Sequence, residues 1–235
     1  MRILKSPVAL AVATLWVAAV AAGQSTNTGD LGVGRLLVSS RGLGDPNFVQ
    51  SVVLLIQYDQ QGAVGLMINR RTQAPISRIL KDVDTAKRGT DPAYVGGPVE
   101  LDSVLALLRS QKKPDDATPV ISEVYRVSTK AALEKALAAS SGPGDVRVYL
   151  GYCGWGPGQL DNEMSLGGWW IFSGDAKLVF DPHPETVWSR LIAQTEQQII
   201  EARPPGASVW AMWLPVSPDI RSIFARYPPA LLRPE

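Results

Sequence analysis

Short runs of β-branched and aliphatic residues, separated by polar turns, give the central part of the chain the pattern of a sheet protein. Such runs predict strands when turn residues bound them. The strands predicted in this way cover residues 35–39, 52–58, 63–69, 94–95, 121–127, 146–150, 168–172 and 178–180. A polar turn over residues 59–62 separates two of the runs, which predicts that these two strands form an antiparallel hairpin.

Apolar residues at helical spacing appear between these runs. Helices are predicted over residues 76–80, 130–139, 159–164 and 185–200. Ser128 or Thr129 is placed to cap the second helix, and Pro184 suits the first turn of the last one. Residues 101–108 fit both periodicities, and a strand is favoured there. The pattern therefore predicts a domain in which strands and helices are mixed.

The start of the chain has the pattern of an export leader. Arg2 and Lys5 precede an apolar run over residues 8–22 that ends in small residues. This arrangement predicts a signal peptide over residues 1–23, followed by a flexible lead-in over 24–31. The protein is then expected to be exported, as a periplasmic or secreted protein. An uncleaved leader that anchors the chain in a membrane, and a misassigned start in front of a cytosolic protein, are the alternatives.

Length and charge limit the function classes. Removal of the leader leaves about 210 residues, which suits one domain, predicted over residues 32–202. The formal net charge is +1 and no basic block is present, which argues against a nucleic-acid partner. Residues 203–235 hold seven prolines together with Trp210 and Trp213, and they are expected to wrap the domain or contact a partner. The leader apart, no permanent membrane span is predicted.

The single cysteine, Cys153, raises the question of thiol chemistry. With one cysteine no internal disulfide can form. A thiol-dependent enzyme or redox protein would need His183, the only histidine, as the base for Cys153. A lone cysteine after a β-rich run is more typical of a small buried hydrophobe, so the structural interpretation is favoured. One cysteine and one histidine do not complete a zinc site, and neither a metal nor a cofactor is predicted.

Glycine-rich blocks carry the most specific pattern. Four glycines fall within the eight residues 151–158, between the predicted strand over 146–150 and the helix over 159–164. This block and four others resemble, in the same order, the YqgE/AlgH family of bacterial proteins over about residues 32–190. The five blocks cover residues 34–38, 44–53, 62–70, 96–99 and 151–163.

The resemblance implies an α+β fold in which a bifurcated mixed sheet curls into a pseudo-barrel with flanking helices. It implies no established enzymatic activity. The family has been linked to transcriptional regulation of alginate production, and nucleotide-binding and redox roles have been proposed for it. This chain departs from the family pattern at Gln57 to Asp59 and at Leu108 and Arg109, where histidines are usual, and at Cys153, where alanine or serine is more frequent.

Several residues follow predicted strands, where loops of open sheets build pockets. The candidates for ligand binding are Asp45, Asn69, Gly96, Gly97, Gly154, Trp155, Gly156 and Gln159. The alternative is that each serves its own turn, because turns favour the same residue types. The N–H groups of residues 158–160 could also hold an anion, or could simply be the start of a capped helix. The favoured hypothesis is a non-enzymatic protein, with a regulatory role, that binds a small ligand or a protein partner through these loops.

Overall fold

The computed structural model describes residues 31–84 and 90–201. The predicted leader, nearly all of the lead-in and the Pro/Trp-containing extension lie outside the described residues. The strands are β1 (Arg35–Ser39), β2 (Val52–Asp59), β3 (Gly62–Met67), β4 (Arg71–Pro75), β5 (Pro92–Val95), β6 (Val99–Arg109), β7 (Thr118–Ile121), β8 (Val124–Val127), β9 (Val146–Trp155) and β10 (Trp169–Ser173). The α-helices are α1 (Ile76–Ile79), α2 (Lys130–Ala139), α3 (Gln159–Ser165), α4 (Ala176–Val179) and α5 (Val187–Glu201). Short 3-10 turns cover Pro46–Phe48 and Pro184–Thr186.

The ten strands form one branched sheet. Its main path runs β10-β1-β2-β3-β9-β6-β8-β7, and β4 and β5 branch from it. The branch lies at β9, because one edge of this strand pairs antiparallel with β3 near Cys153 and parallel with β5 near Tyr149. The other edge of β9 pairs with β6. All remaining pairs are antiparallel, so the sheet is mixed and bifurcated, as the resemblance implied.

The two ends of the sheet path meet, which curls the sheet into a half-barrel. A Cβ atom placed on Gly34, at the start of β1, would lie 2.4 Å from the side chain of Ile121 in β7. A Cβ atom placed on Gly174, after β10, would lie 2.1 Å from the carbonyl oxygen of Gly34 and 3.1 Å from the side chain of Ile121. Glycine is therefore required where the ends approach one another.

Helices cover the sheet on both faces. The concave face packs against α4 and α5 in a core that includes Leu54, Tyr149 and Trp188. The convex face carries two separate clusters. One contains Cys153 and Leu160 beneath α3, and the other packs α1 and α2 against β5, β6, β8 and β9. The α+β class, the half-barrel and the flanking helices are those expected from the resemblance.

Much of the predicted element order is confirmed. The hairpin of β2 and β3 closes at the predicted turn, where Asp59 pairs with Gly62. Residues 99–109 form a strand, as favoured. Thr129 caps α2 by accepting a hydrogen bond from the backbone N–H of Ala132. Alternation along β10 buries Trp169 and leaves Trp170 exposed.

Three predicted elements are wrong. Residues 118–127 form a hairpin rather than one strand over 121–127, because Glu123 adopts a positive φ of 63° and turns the chain. Residues 151–155 continue β9 instead of forming a turn, because pairing with β3 and β6 extends through them. Residues 176–179 form a helical turn capped by Asp175 where a strand over 178–180 was predicted.

Candidate functional site

Two of the predicted ligand residues hold turns together. Asp45 accepts a hydrogen bond from the N–H of Asn47 at 2.8 Å and caps the 3-10 turn. Asn69 is buried, accepts a hydrogen bond from the N–H of Val52 and donates one to the carbonyl of Gln50, each at 2.9 Å. Gln50 has a positive φ of 54°, so Asn69 fixes an unusual backbone conformation before β2. The contacts of both side chains thus agree with the alternative that each stabilises its own turn.

The predicted double glycine lies against β9. A Cβ atom on Gly96 would be 2.2 Å from the carbonyl oxygen of Gly151, and one on Gly97 would be 2.1 Å from the carbonyl carbon of Tyr152. The carbonyl of Gly96 accepts hydrogen bonds from the N–H of Met67 and the thiol of Cys153. These glycines allow β3, β5 and β9 to approach one another at the branch of the sheet.

Trp155, Gly156 and Gln159 meet at the start of α3, whereas Gly154 lies in β9 apart from them. Trp155 is buried and lies 5.7 Å from Phe48 and 6.0 Å from Trp169, measured between ring centroids. The side-chain oxygen of Gln159 accepts a hydrogen bond from the N–H of Gly156, while the N–H of Gln159 donates to the carbonyl of Gly156. Gly154 is exposed in β9 and pairs with Val64.

Glu163 organises this cluster, although it is not among the ligand residues predicted from the sequence. One oxygen of its carboxylate accepts hydrogen bonds from the indole N–H of Trp155 at 3.1 Å and of Trp169 at 2.9 Å. Its other oxygen accepts a hydrogen bond from the amide of Gln159. A glutamate one helical turn after a polar residue is common, so no local pattern marks this role. The cluster uses its polar groups internally.

Cys153 and His183 are not placed as a catalytic pair. Cys153 is fully buried in the cluster beneath α3, and this burial raises the pKa of its thiol. His183 is exposed beside Glu185, and its neighbours Phe180 and Val187 pack on the opposite face of the sheet. A reactive thiolate needs a positive or solvated environment, and at Cys153 the effect of burial on the thiol pKa outweighs that of the Arg70 charge.

A cleft of about 390 Å³ opens between α2, the end of β6 and the loop that precedes β7. Its apolar floor includes Leu108, Val127, Ala132 and Ala136, and Ala139 lies beside them. Alanine side chains on this face of α2 leave space that larger residues would fill. None of the eight predicted ligand residues lines the cleft.

Charged groups line the rim of the cleft. Arg109 lies 3.6 Å from Glu123, and Asp145 accepts a hydrogen bond from the N–H of Ser141 at 2.9 Å. Lys135 of α2 and Asp116 of the opposite loop are exposed. Within residues 31–84 and 90–201, neither of these two side chains has a hydrogen bond or ion pair. The cleft thus offers an apolar floor, and on its rim Lys135 and Asp116 carry opposite charges that no other described residue pairs.

Comparison with known proteins identifies the family. The profile of the AlgH-like family matches residues 36–200. The chain belongs to the AlgH-like family. A UPF0301 protein of Streptomyces coelicolor is 34% identical over 165 residues, which cover 68% of this chain and 84% of the relative. A UPF0301 protein of Caulobacter vibrioides is 33% identical over 171 residues, covering 71% and 88% of the two chains.

Solved structures share the AlgH-like fold. The solution structure of AlgH from Pseudomonas aeruginosa has a TM-score of 0.58 and 27% identity, and the match covers 77% of this chain and 100% of that one. The crystal structure of DIP2367 from Corynebacterium diphtheriae has a TM-score of 0.60 at 21% identity, with 76% and 90% covered. The second likeness concerns the fold alone.

Two negative observations complete the description of the AlgH-like domain. Within its described residues, no cluster of three or more histidine, cysteine or acidic side chains is arranged to hold a metal ion. In the same part of the chain, none of the helices combines the length and apolar character needed to cross a bilayer.

Proposed function

We propose that this AlgH-like protein is a non-enzymatic binding protein, and that a small amphipathic ligand occupies the cleft beside α2. The cleft itself carries the proposal. Its volume of about 390 Å³ falls in the range of small-molecule sites, which is about 300–1,000 Å³. Its combination of apolar floor and sparse polar rim is also typical of such sites.

The predicted glycine loops support a structural role better than direct ligand contact. The backbone of β9 fills the space beside Gly96 and Gly97. The indole N–H of Trp155 and the side-chain amide of Gln159 already donate hydrogen bonds to Glu163. A ligand there would have to displace hydrogen bonds that already satisfy these groups. In the cleft, Lys135 and Asp116 present charges that no hydrogen bond or ion pair from another described residue occupies.

Methyl groups in the cleft offer a direct test. The full chain, labelled with ¹³C in its alanine methyl groups, is titrated with a fragment set of small aliphatic and aromatic acids, amines, alcohols and amino acids. Binding in the cleft is expected to shift the methyl signals of Ala132, Ala136 and Ala139, which line it. The methyl signal of Ala63, buried in the cluster beneath α3, should stay constant.

A matched pair of variants makes the location testable. Ala139→Leu places a larger side chain in the cleft, whereas Ala138→Leu changes an exposed neighbour on α2 that does not line it. Fragment binding should be lost in the first variant and kept in the second. If no fragment shifts the cleft methyls, or if both variants bind equally, the proposed site is wrong.

A regulatory role and export extend the proposal. Ligand occupancy would regulate a partner protein without chemistry at this chain. The pattern of residues 1–23 supports export, and N-terminal sequencing of protein from the producing cell tests it. Mature protein that begins near Gln24 is the expected result, and a soluble protein with an intact Met1 would contradict a cleaved leader.

A further inference from the structure

The charges at the rim of the cleft point to the class of ligand, and this inference rests on the proposed function. We propose that the cleft binds a small zwitterion with an apolar body, of the class of amino acids with aliphatic side chains. The ligand's carboxylate would pair with Lys135 and its ammonium group with Asp116. Its aliphatic side chain would lie on the floor near Ala136.

Some charged side chains at the rim already have partners, which limits the groups that can pair with the charges of a ligand. Arg109 already lies beside Glu123, and the carboxylate of Asp145 already accepts a backbone hydrogen bond. Lys135 and Asp116 are left as the two cleft charges with no partner among the described residues. They have opposite signs, and one stands on α2 while the other stands on the facing loop. A ligand with a single charge would satisfy only one of them.

The helix end adds to the preference for an ammonium group. Ala139 and Ser140, at the C-terminal end of α2, line the cleft. The last carbonyl groups of a helix lack partners within the helix and carry partial negative charge. The same end of the cleft contains Asp145. These groups add negative potential to the cleft, which favours the ligand's ammonium group, while Lys135, one turn earlier in α2, is left for the anion.

Size favours a single small molecule. A volume of about 390 Å³ lies near the lower bound for ligand sites, about 300 Å³. The floor is made of alanine, leucine and valine side chains, and it offers no aromatic ring for stacking a flat base. An aliphatic body of a few carbons fits such a floor through apolar contact.

Four related probes separate the contributions of charge. L-Leucine carries both charges, N-acetyl-leucine carries only the carboxylate, leucinamide carries only the ammonium group, and 3-methylbutanol carries neither. Affinities are measured by the alanine-methyl titration on the full chain. Removal of either charge should weaken binding about fivefold, the upper end for a partly exposed ion pair.

Matched variants assign each charge to a side chain. Lys135→Gln should weaken L-leucine binding about fivefold and leave leucinamide unaffected, and Asp116→Asn should do the reverse with N-acetyl-leucine as the unaffected probe. The controls are Lys130→Gln on the same helix and Asp115→Asn in the same loop, which do not line the cleft. All four positions are exposed, so folding is preserved and is checked by the thermal midpoint.

The outcomes distinguish this inference from the proposed function. If a single-charge probe binds as tightly as L-leucine, or if the cleft variants match their controls, the zwitterion inference is overturned while the cleft remains a binding site. If L-leucine does not bind but alcohols or other fragments do, the inference is again overturned. If no probe or fragment shifts the cleft methyls, the proposed function itself is wrong.

Discussion

Two parts of this AlgH-like domain are rich in small residues, and they use them in opposite ways. At the branch of the sheet, Gly96 and Gly97 let backbones approach so closely that no space is left. On α2, Ala132, Ala136 and Ala139 face a loop rather than a paired strand, and a cleft of about 390 Å³ opens. The small residues of the branch thus serve packing, while those of the helix leave room for a ligand.

The two regions also differ in whether their polar side chains already have hydrogen-bond partners. Near the branch, the carboxylate of Glu163 accepts three hydrogen bonds, from Trp155, Trp169 and Gln159. At the cleft, Lys135 and Asp116 have no such partners within the described residues. Satisfied polar groups rigidify a structure, whereas free ones are available for recognition. This contrast supports the proposal that a ligand binds in the cleft rather than in the glycine-rich region.

The largest expected effect concerns Cys153, which tests whether the branch is closed. In the folded protein at about pH 8, alkylation by iodoacetamide should be at least about 1,000-fold slower than in concentrated guanidinium chloride, because the thiol reacts only after local opening. Mass spectrometry measures the rate. Rapid alkylation of the folded protein would show that the branch is open to solvent, and it would favour the thiol-enzyme alternative.

The same burial predicts the sign of a pH effect. Burial raises the pKa of the folded Cys153 thiol, while the unfolded thiol keeps its ordinary pKa of 9.0. The unfolded state therefore loses its proton first as the pH rises. The free energy of unfolding should fall above about pH 9, and Cys153→Ala should remove this part of the decline.

Gly97→Ala tests the close approach at the branch. The added Cβ would lie 2.1 Å from the backbone of Tyr152, so a strand must shift. We expect a loss of about 3 kcal/mol in the free energy of unfolding, measured by denaturant titration. Gly144→Ala is the control, because no atom lies within 4 Å of its added Cβ. Equal stability of the two variants would show that the branch has room.

Glu163→Ala tests the polar framework. Two buried indole N–H groups would lose their acceptor, and we expect a loss of about 2 kcal/mol in the free energy of unfolding together with a change in tryptophan fluorescence. Asn162→Ala, at an exposed position of the same helix, should change the stability by less than about 0.5 kcal/mol. A neutral result at Glu163 would remove its organising role.

Ala139→Leu should have the smallest effect on stability. The new side chain enters open space in the cleft, so the free energy of unfolding should change by less than about 0.5 kcal/mol. Thermal unfolding provides the measurement, with Ala138→Leu beside it. A loss of several kcal/mol would mean that the cleft is as tightly packed as the branch, and the contrast between the regions would disappear.

Sequence patterns correctly predicted the elements that are determined by neighbouring residues in the chain. The hairpin of β2 and β3 has its turn in Asp59 to Gly62, and α2 has its cap at Thr129. One misassignment arose where distant pairing decides. Glycines made residues 151–155 resemble a turn, yet β3 and β6 hold them as a strand. The turn at Glu123 has no glycine or asparagine to mark it, although Glu123 adopts a positive φ.

The site was less predictable than the fold. Its walls come from α2, the end of β6 and the loop before β7, which are separated in the chain. No motif links Lys135 with Asp116, and their lack of partners among the described residues follows from the fold rather than from any local pattern. The glycine motifs were predicted to lie at a ligand site, and the proximity they provide is between strands of the same sheet.

The position of β9 in the sheet has a consequence for biosynthesis. This strand joins β3, β5 and β6, all of which leave the ribosome before it. Until residues up to Trp155 have left the ribosome, each of these three strands has an unpaired edge that can pair with another chain. The half-barrel is thus expected to close late in synthesis, and a nascent chain stalled before Val146 should depend on chaperones to stay soluble.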